Sequence, residues 1–180
     1  MEVWEAIEKR RTIRQFTGKV PMPMLRRLIR AGSRAPSASN TQPWEFIIVE
    51  DQKIIDGIAE QKGKMEGMRG GPRRIAIEKG LYVNSSVVAI CIKKGGLSTA
   101  AAWTAAENMA LAATAEGLGC VMSIFGGEYK SAVEKLLGVP YTHEIATVLA
   151  LGIPEGIPPK VGVDRPENSW LHINTFGNPG

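Results

Sequence analysis

Alanine crowds one stretch of this chain: Ala100 to Ala102, Ala105, Ala106, Ala110, Ala112, Ala113 and Ala115 all fall between Ser98 and Glu116. The pattern predicts the longest helix of the molecule, capped by Ser98 and ended by Gly117 and Gly119. A helix that is apolar nearly all round cannot show most of its sides to water. It therefore lies either at the centre of the fold or in a subunit interface, and the other elements must be arranged around it.

With 180 residues and 19.5 kDa, the chain can bury such a helix in one domain and is too short for two. Apolar residues at 44% and charged residues at 22% exclude wholesale disorder. A net charge of +4 suits an anionic ligand but is too weak to indicate nucleic acid. Arg26, Arg30 and Arg34 do recur along one helix face, which reads as a solvated basic stripe without the aromatics that stack bases. Cys91 and Cys120 stand too far apart for a CxxC site and fit a reducing cytoplasm. His143 and His172 form no ligand-spaced cluster, which argues against zinc. There is no signal-like apolar segment at the N-terminus and no apolar run of the ~18 residues that cross a bilayer. The expectation is a cytoplasmic protein with neither a membrane nor a nucleic acid as partner.

Other elements follow from periodicity and punctuation. Val3 to about Arg11 predicts a short surface helix, and a second follows Pro21 and Pro23 with Leu25, Leu28, Ile29 and Gly32 inward. Phe46 to Val49, Val87 to Ile92, Cys120 to Phe125 and Ile145 to Leu151 read as buried strands. Asp51 caps a helix bearing Ile54, Ile55, Ile58 and Ala59. Residues 61–84 are Gly- and Arg-rich and yield only a short helix near Arg74 to Leu81. From Ile153 onward the chain is proline-rich and aperiodic, but Trp170, Leu171, Ile173 and Phe176 give it anchors that favour docking over disorder.

Three constellations could carry chemistry. Arg10-Arg11-Thr12-Ile13-Arg14 gathers three guanidiniums and a hydroxyl, suited to a phosphate or a developing anion; equally, these cations could complement a helix C-terminus. Pro36-Ser37-Ala38-Ser39-Asn40-Thr41-Gln42-Pro43-Trp44 holds short polar side chains between prolines, as a heterocycle's donors and acceptors require, or as a capped turn does. Gly126-Gly127 follows a buried strand, where it lets backbone amides approach a flat ligand or simply makes a turn. No GxGxxG, GxxxxGK[ST] or GxSxG is present.

In this order, with Gly-Leu-Gly closing the alanine-rich helix and Leu-Gly-x-Pro following, the motifs resemble the nitroreductase family of flavoproteins from about Val3 to Lys160. The resemblance implies an α+β fold with a central, mostly antiparallel sheet flanked by helices. It also implies a homodimer holding FMN at the interface, with the long alanine-rich helix buried at that dimer interface. Residues 1–152 would form the FMN-binding domain and 153–180 an extended arm on the partner subunit. By the same resemblance, Arg10, Arg11 and Thr12 look like ligands of the FMN phosphate and ribityl chain. Arg14 is similar to the basic residue at the N1/O2 edge of the ring, and Pro36, Ser37, Ala38 and Asn40, supported by Gln42, match a loop donated by the other subunit. Gly126 and Gly127 match the turn whose amides face N5 and O4, and Lys160 matches a late lysine near the phosphate. Ala38 stands where the family often has a second serine, and Gly162 where it often has an arginine, with Arg165 a candidate substitute. The implied activity is ping-pong transfer of hydride from NADH or NADPH to FMN and on to a nitroaromatic, quinone-like or other electron-poor acceptor, without a side-chain acid or base. Dehalogenation, flavin-ring chemistry and plain flavin binding or storage are the alternatives.

Overall fold

The structure, a computed structural model, describes residues 1–158 and 164–178. Five strands build one sheet: β1 (Phe16–Lys19), β2 (Trp44–Val49), β3 (Ser86–Lys93), β4 (Gly119–Ser123) and β5 (His143–Pro154). Every pairing between them is antiparallel, in the order β1-β5-β3-β2, with β4 also pairing β5. Gly152 pairs with both Lys19 and Gly119, so β1 and β4 lie on opposite edges of β5. This is the α+β arrangement that the sequence motifs imply.

Antiparallel sheets usually alternate apolar and polar residues, whereas β3 reads as an unbroken apolar run. The reason is that helices cover both faces. On one face Val88, Ile90, Ile92, Leu149 and Leu151 pack with α2 (Met22–Gly32) and α4 (Ser98–Ala115). On the other, Val87, Ala89, Cys91, Val148 and Ala150 pack with α3 (Gln52–Val83) and α5 (Gly127–Leu136). The alanine-rich α4 buries Ala101, Ala102, Ala105, Ala106, Met109, Ala110 and Ala113 within the single chain, so the centre of the fold accounts for its composition. The helix α1 (Val3–Lys9) packs on its outer side.

Four expectations need correction. The predicted cap at Ser98 is absent: Leu97 holds the N-cap position, and the Ser98 hydroxyl donates to the Gly95 carbonyl at 2.9 Å. The helix from Val3 stops at Lys9 rather than near Arg11, since Arg10 is already extended (φ −54°, ψ 127°). The strand β1 was invisible because four residues, one of them Gly18, offer no pattern. Finally, α4 is not the longest helical segment, and residues 61–84 are not irregular.

Those residues belong to α3, which starts at the expected Asp51 cap, whose carboxylate accepts from the Lys53 amide at 2.8 Å. It is interrupted at Gly71, where φ is 67° and ψ −167°, ahead of Pro72. Twelve residues of straight helix would span about 18 Å. Yet a Cβ on Gly63 would lie 3.1 Å from Ile75, and one on Gly67 only 2.8 Å from it. The two halves therefore fold back on each other as a helical hairpin, and the glycines that obscure the pattern are what let the halves approach.

Candidate functional site

Ile13 organises the Arg10–Arg14 segment. Its side chain is buried among the apolar residues of the α3/α5 face, while its amide donates to the Cys120 carbonyl at 3.1 Å. Beside it Thr12 forms a parallel bridge with Cys120. Side chains alternate along an extended chain, so anchoring Ile13 inward turns Thr12 and Arg14 outward, and both are exposed. The close approach depends on Gly119 of β4, where a Cβ would sit 2.8 Å from Ile13.

The three arginines have separate surroundings. Arg11 donates to the carbonyls of Glu8 at 2.6 Å and Arg10 at 2.8 Å, closing the C-terminal end of α1. Arg10 faces Glu107 of α4, Nε to Oε1 at 3.5 Å. Arg14 lines three adjoining cavities of about 480, 380 and 570 Å³. The first is bounded by Lys62, Glu66 and Glu78 of the α3 hairpin and by Ser123 and Gly126 at the end of β4. The second is bounded by Thr12 and residues 155–158. Together they form a groove in the size range of small-molecule sites, with a fixed cation at its junction.

Gly126 and Gly127 open α5 on the wall of the first cavity. Gly127 has φ 53°, Gly126 provides no side-chain cap, and a Cβ on either would meet nothing within 4 Å. Their backbone is therefore open to a ligand, as flat stacking or hydrogen bonding at amides requires.

Pro36, Ser37, Ala38, Asn40 and Gln42 are not brought to this groove within one chain. Their loop lies elsewhere: the Pro36 carbonyl is 3.3 Å from the Thr104 hydroxyl of α4, whose proton goes to the nearer Ala101 carbonyl at 2.8 Å, and the Gln42 amide donates to the Ser37 hydroxyl at 3.0 Å. The Gln42 side chain donates to Asn40 at 3.1 Å. Three non-glycine residues, Ser39 (φ 51°), Asn40 (φ 54°) and Gln42 (φ 45°), sit in the left-handed region. Each costs on the order of 1 kcal/mol, and such strain on an exposed loop concentrates where a ligand is met.

Lys160 and Gly162 lie outside the described residues. Arg165 is tied into its own turn, donating to the hydroxyl and carbonyl of Ser169. The anchors expected of the tail stay uncovered by the chain itself, Phe176 being 94% exposed.

Sequence reasoning missed the hairpin's contribution. Lys62 is 8% exposed, and its ammonium donates to Glu66 at 2.9 Å and to the Ile124 carbonyl at 3.3 Å, with the Phe125 ring centroid 5.7 Å away. Glu78 is 2% exposed. The signal available was Lys62 and Glu66 at i, i+4, which in an unread segment looks like any surface ion pair. Beneath, the Tyr82 hydroxyl is fully buried with no partner within hydrogen-bond distance; the Ser123 side chain faces it, and burial pushes its pKa upward. Burial likewise raises Cys91 to about 11 and Cys120 to about 12, so neither is a reactive thiol. The two belong to cores on opposite faces of the sheet. Among the described residues there is no group of His, Cys, Asp and Glu able to hold a metal, and no helix long and apolar enough to cross a membrane.

Comparison with known proteins adds four findings. A model of the Nitroreductase family matches residues 7–68 and 97–153, passing over the second half of the α3 hairpin. The chain is 29% identical to an iodotyrosine deiodinase of Thermotoga neapolitana, over 97% of this chain and 98% of that one. It is 27% identical to a candidate NADH dehydrogenase/NAD(P)H nitroreductase of Archaeoglobus fulgidus, over 86% of each. Among solved structures, an oxidized iodotyrosine deiodinase bound to FMN and 3-iodo-L-tyrosine superposes with a TM-score of 0.82 at 25% identity, covering 97% of this chain and 100% of that chain.

Proposed function

The chain belongs to the nitroreductase family, and from that premise we propose that it is an FMN-dependent oxidoreductase passing electrons from NADH or NADPH to an electron-poor organic acceptor in a ping-pong cycle. The observation that carries this reading is the convergence of Arg14 and Gly126 on one groove from two separate segments of the chain. FMN supplies the redox centre when bound, accepting a hydride and releasing electrons to the second substrate.

The residues present fit that group. Thr12 and Arg14 point out of an edge anchored on β4, and Arg10 and Arg11 stand at the start of the same segment. A phosphate would compete for Arg10 with Glu107, a 3.5 Å pair on a half-exposed side chain and hence a weak rival for the cation. Arg14 holds a permanent positive charge at the junction of the groove, where it would stabilise negative charge developing on a ligand ring. Gly126 and Gly127 would offer amides to the ring edge. Lys160 would complete the phosphate end.

The strained Pro36–Gln42 loop, remote from the groove of its own chain, is assigned to the groove of a second copy. The uncovered Trp170, Leu171, Ile173 and Phe176 are assigned to the same partner as an arm. The unit of function is then a homodimer with residues of both subunits at each FMN.

Reductive dehalogenation of a halogenated aromatic is the second reading. The deiodinase relatives favour it, and so does the character of the first cavity, which pairs cationic Arg14 and Lys62 with anionic Glu66 and Glu78. Opposite charges on one wall suit a polar or zwitterionic acceptor better than a purely apolar one. The test is an absorbance spectrum of the purified protein with FMN, followed by anaerobic NADH, NADPH or dithionite. Flavin bands that bleach on nicotinamide, and return with a nitroaromatic or quinone, support the first reading. Bleaching by dithionite alone, with return on a halotyrosine, supports the second, and failure to bind flavin overturns both.

A further inference from the structure

We propose that Lys62 is a positioning residue for the flavin site: from the α3 hairpin it holds the Ile124 carbonyl, and thereby fixes the Gly126-Gly127 amides against the cavity. This rests on the assignment of those amides to the flavin ring.

No side chain of its own holds the turn. Ile124 is 58% exposed, so its side chain is no anchor. Gly126 and Gly127 have no side chains, no atom within 4 Å of where a Cβ would stand, and no side-chain cap on α5. A Gly-Gly pair left to itself samples more backbone conformations than any other dipeptide. Two contacts restrict it from the Ile124 side: the buried Phe125 ring and the Lys62 ammonium, which lies 5.7 Å from that ring and donates to the carbonyl one residue earlier.

Lys62 is an unusual choice for a mere tie. Lysine is almost never fully buried unless paired, and here Glu66 supplies a charge partner 2.9 Å away that offsets its desolvation. Glu66 sits one helical turn further on, with side-chain exposure of 13% against 10% for Lys62. The pair orients the ammonium, and the remaining proton donors reach across to the turn. In this arrangement the hairpin does more than cover the cavity, since its placement and the aim of the amides are linked through one side chain.

Hydrogen exchange of the Lys130 amide, which donates to the Gly126 carbonyl at 3.3 Å, and of the α5 amides that follow it tests the link directly in the flavin-free protein. Lys62→Met should speed their exchange about tenfold relative to wild type, Lys62→Arg should restore protection, and Glu66→Gln, which removes the partner that orients the ammonium but leaves the donor to Ile124, should open them less than Lys62→Met does. With flavin, Lys62→Met should weaken FMN and riboflavin by the same factor, because the ring and not the phosphate loses its partner. Should Lys62→Met not fold, the Lys62→Met/Glu66→Gln double variant, which buries no unpaired charge, carries the same comparison. Unchanged exchange in the Met variants, or equal opening by Glu66→Gln alone, overturns the proposal. A wild-type protein that binds no flavin would instead overturn the site assignment, and the exchange data would still judge the Lys62 link.

Discussion

Replacing Gly119 by alanine should destabilise this protein, although strand propensity says the opposite. Gly119 is not in the left-handed region, so its backbone accepts alanine, and removing a glycine there would ordinarily stabilise by about 0.4–1 kcal/mol. The new Cβ, however, would lie 2.8 Å from the Ile13 Cβ and Cγ2 and 2.9 Å from its Cγ1. Carbon atoms in contact prefer roughly 3.5–4.0 Å. A Cβ is fixed to its backbone, so side-chain rotation gives no relief, and the Arg10–Arg14 segment must retreat by about 1 Å. That displacement lengthens the 3.1 Å bond from the Ile13 amide to the Cys120 carbonyl beyond hydrogen-bond range. Overpacking of this kind costs about 1–3 kcal/mol and the lost bond about 1 kcal/mol more. Set against the glycine gain, the net loss is about 1–3.5 kcal/mol, which in a chain of this size lowers Tm by roughly 2–14 °C. Urea unfolding followed by circular dichroism measures it. Because Thr12 and Arg14 ride on the same segment, FMN affinity should fall with stability. A Gly119→Ala protein as stable as wild type would show that Ile13 is not held against β4 as described.

Three further outcomes can be checked. Tyr82→Phe removes a buried hydroxyl without a partner and should raise stability by about 1 kcal/mol; a loss of that size would reveal a hydrogen bond to the Ser123 side chain. Cys91, Cys120 and Tyr82 all have folded-state pKa values raised by burial, so the stability they contribute is complete below about pH 9 and is lost as pH climbs toward the folded values, about 11 for Cys91 and about 12 for Cys120, with Tyr82 also raised. The urea midpoint should thus fall between pH 8 and 10.5, and a Cys91→Ala/Cys120→Ala variant should show a shallower fall; an identical slope would remove the thiols from the account. Arg14→Ala should lower the midpoint potential of bound FMN, whereas Arg10→Ala should weaken FMN more than riboflavin. An unchanged potential in the first, or equal losses in the second, would reassign those side chains.

Sheet strands were legible where burial on both faces leaves an apolar run, as in β3, and α4 where alanine admits few other readings. Asp51 was legible as a cap because capping is local. Two kinds of information were not. Gly63 and Gly67 depress helix propensity in any window that contains them, and only the antiparallel return of the hairpin, a tertiary fact, explains why they are there. The charged wall of the cavity stayed hidden for the same reason, since Lys62, Glu66 and Glu78 meet only after the chain has doubled back. In the arginine motif the residue types were visible, but not their division of labour: Arg11 closes a helix, Arg10 faces Glu107 and Arg14 alone reaches the groove.

The pairing of Val49 with Val87 gives the α3 hairpin one more consequence. The chain leaves the sheet at the end of β2 and re-enters at the start of β3 directly opposite, on strands only about 5 Å apart. Topologically the whole excursion from Gln52 to Val83 is an enlarged β-turn, rooted in the core by Ile55, Ile58, Leu81 and Tyr82. Its outer portion beyond the Lys62–Glu66 pair, from Gly67 to Ile77, takes no part in any strand pairing. The scaffold thereby divides its labour: the sheet and its strand registers are closed without the hairpin's tip, while the wall that the hairpin adds to the groove hangs on a segment outside every strand.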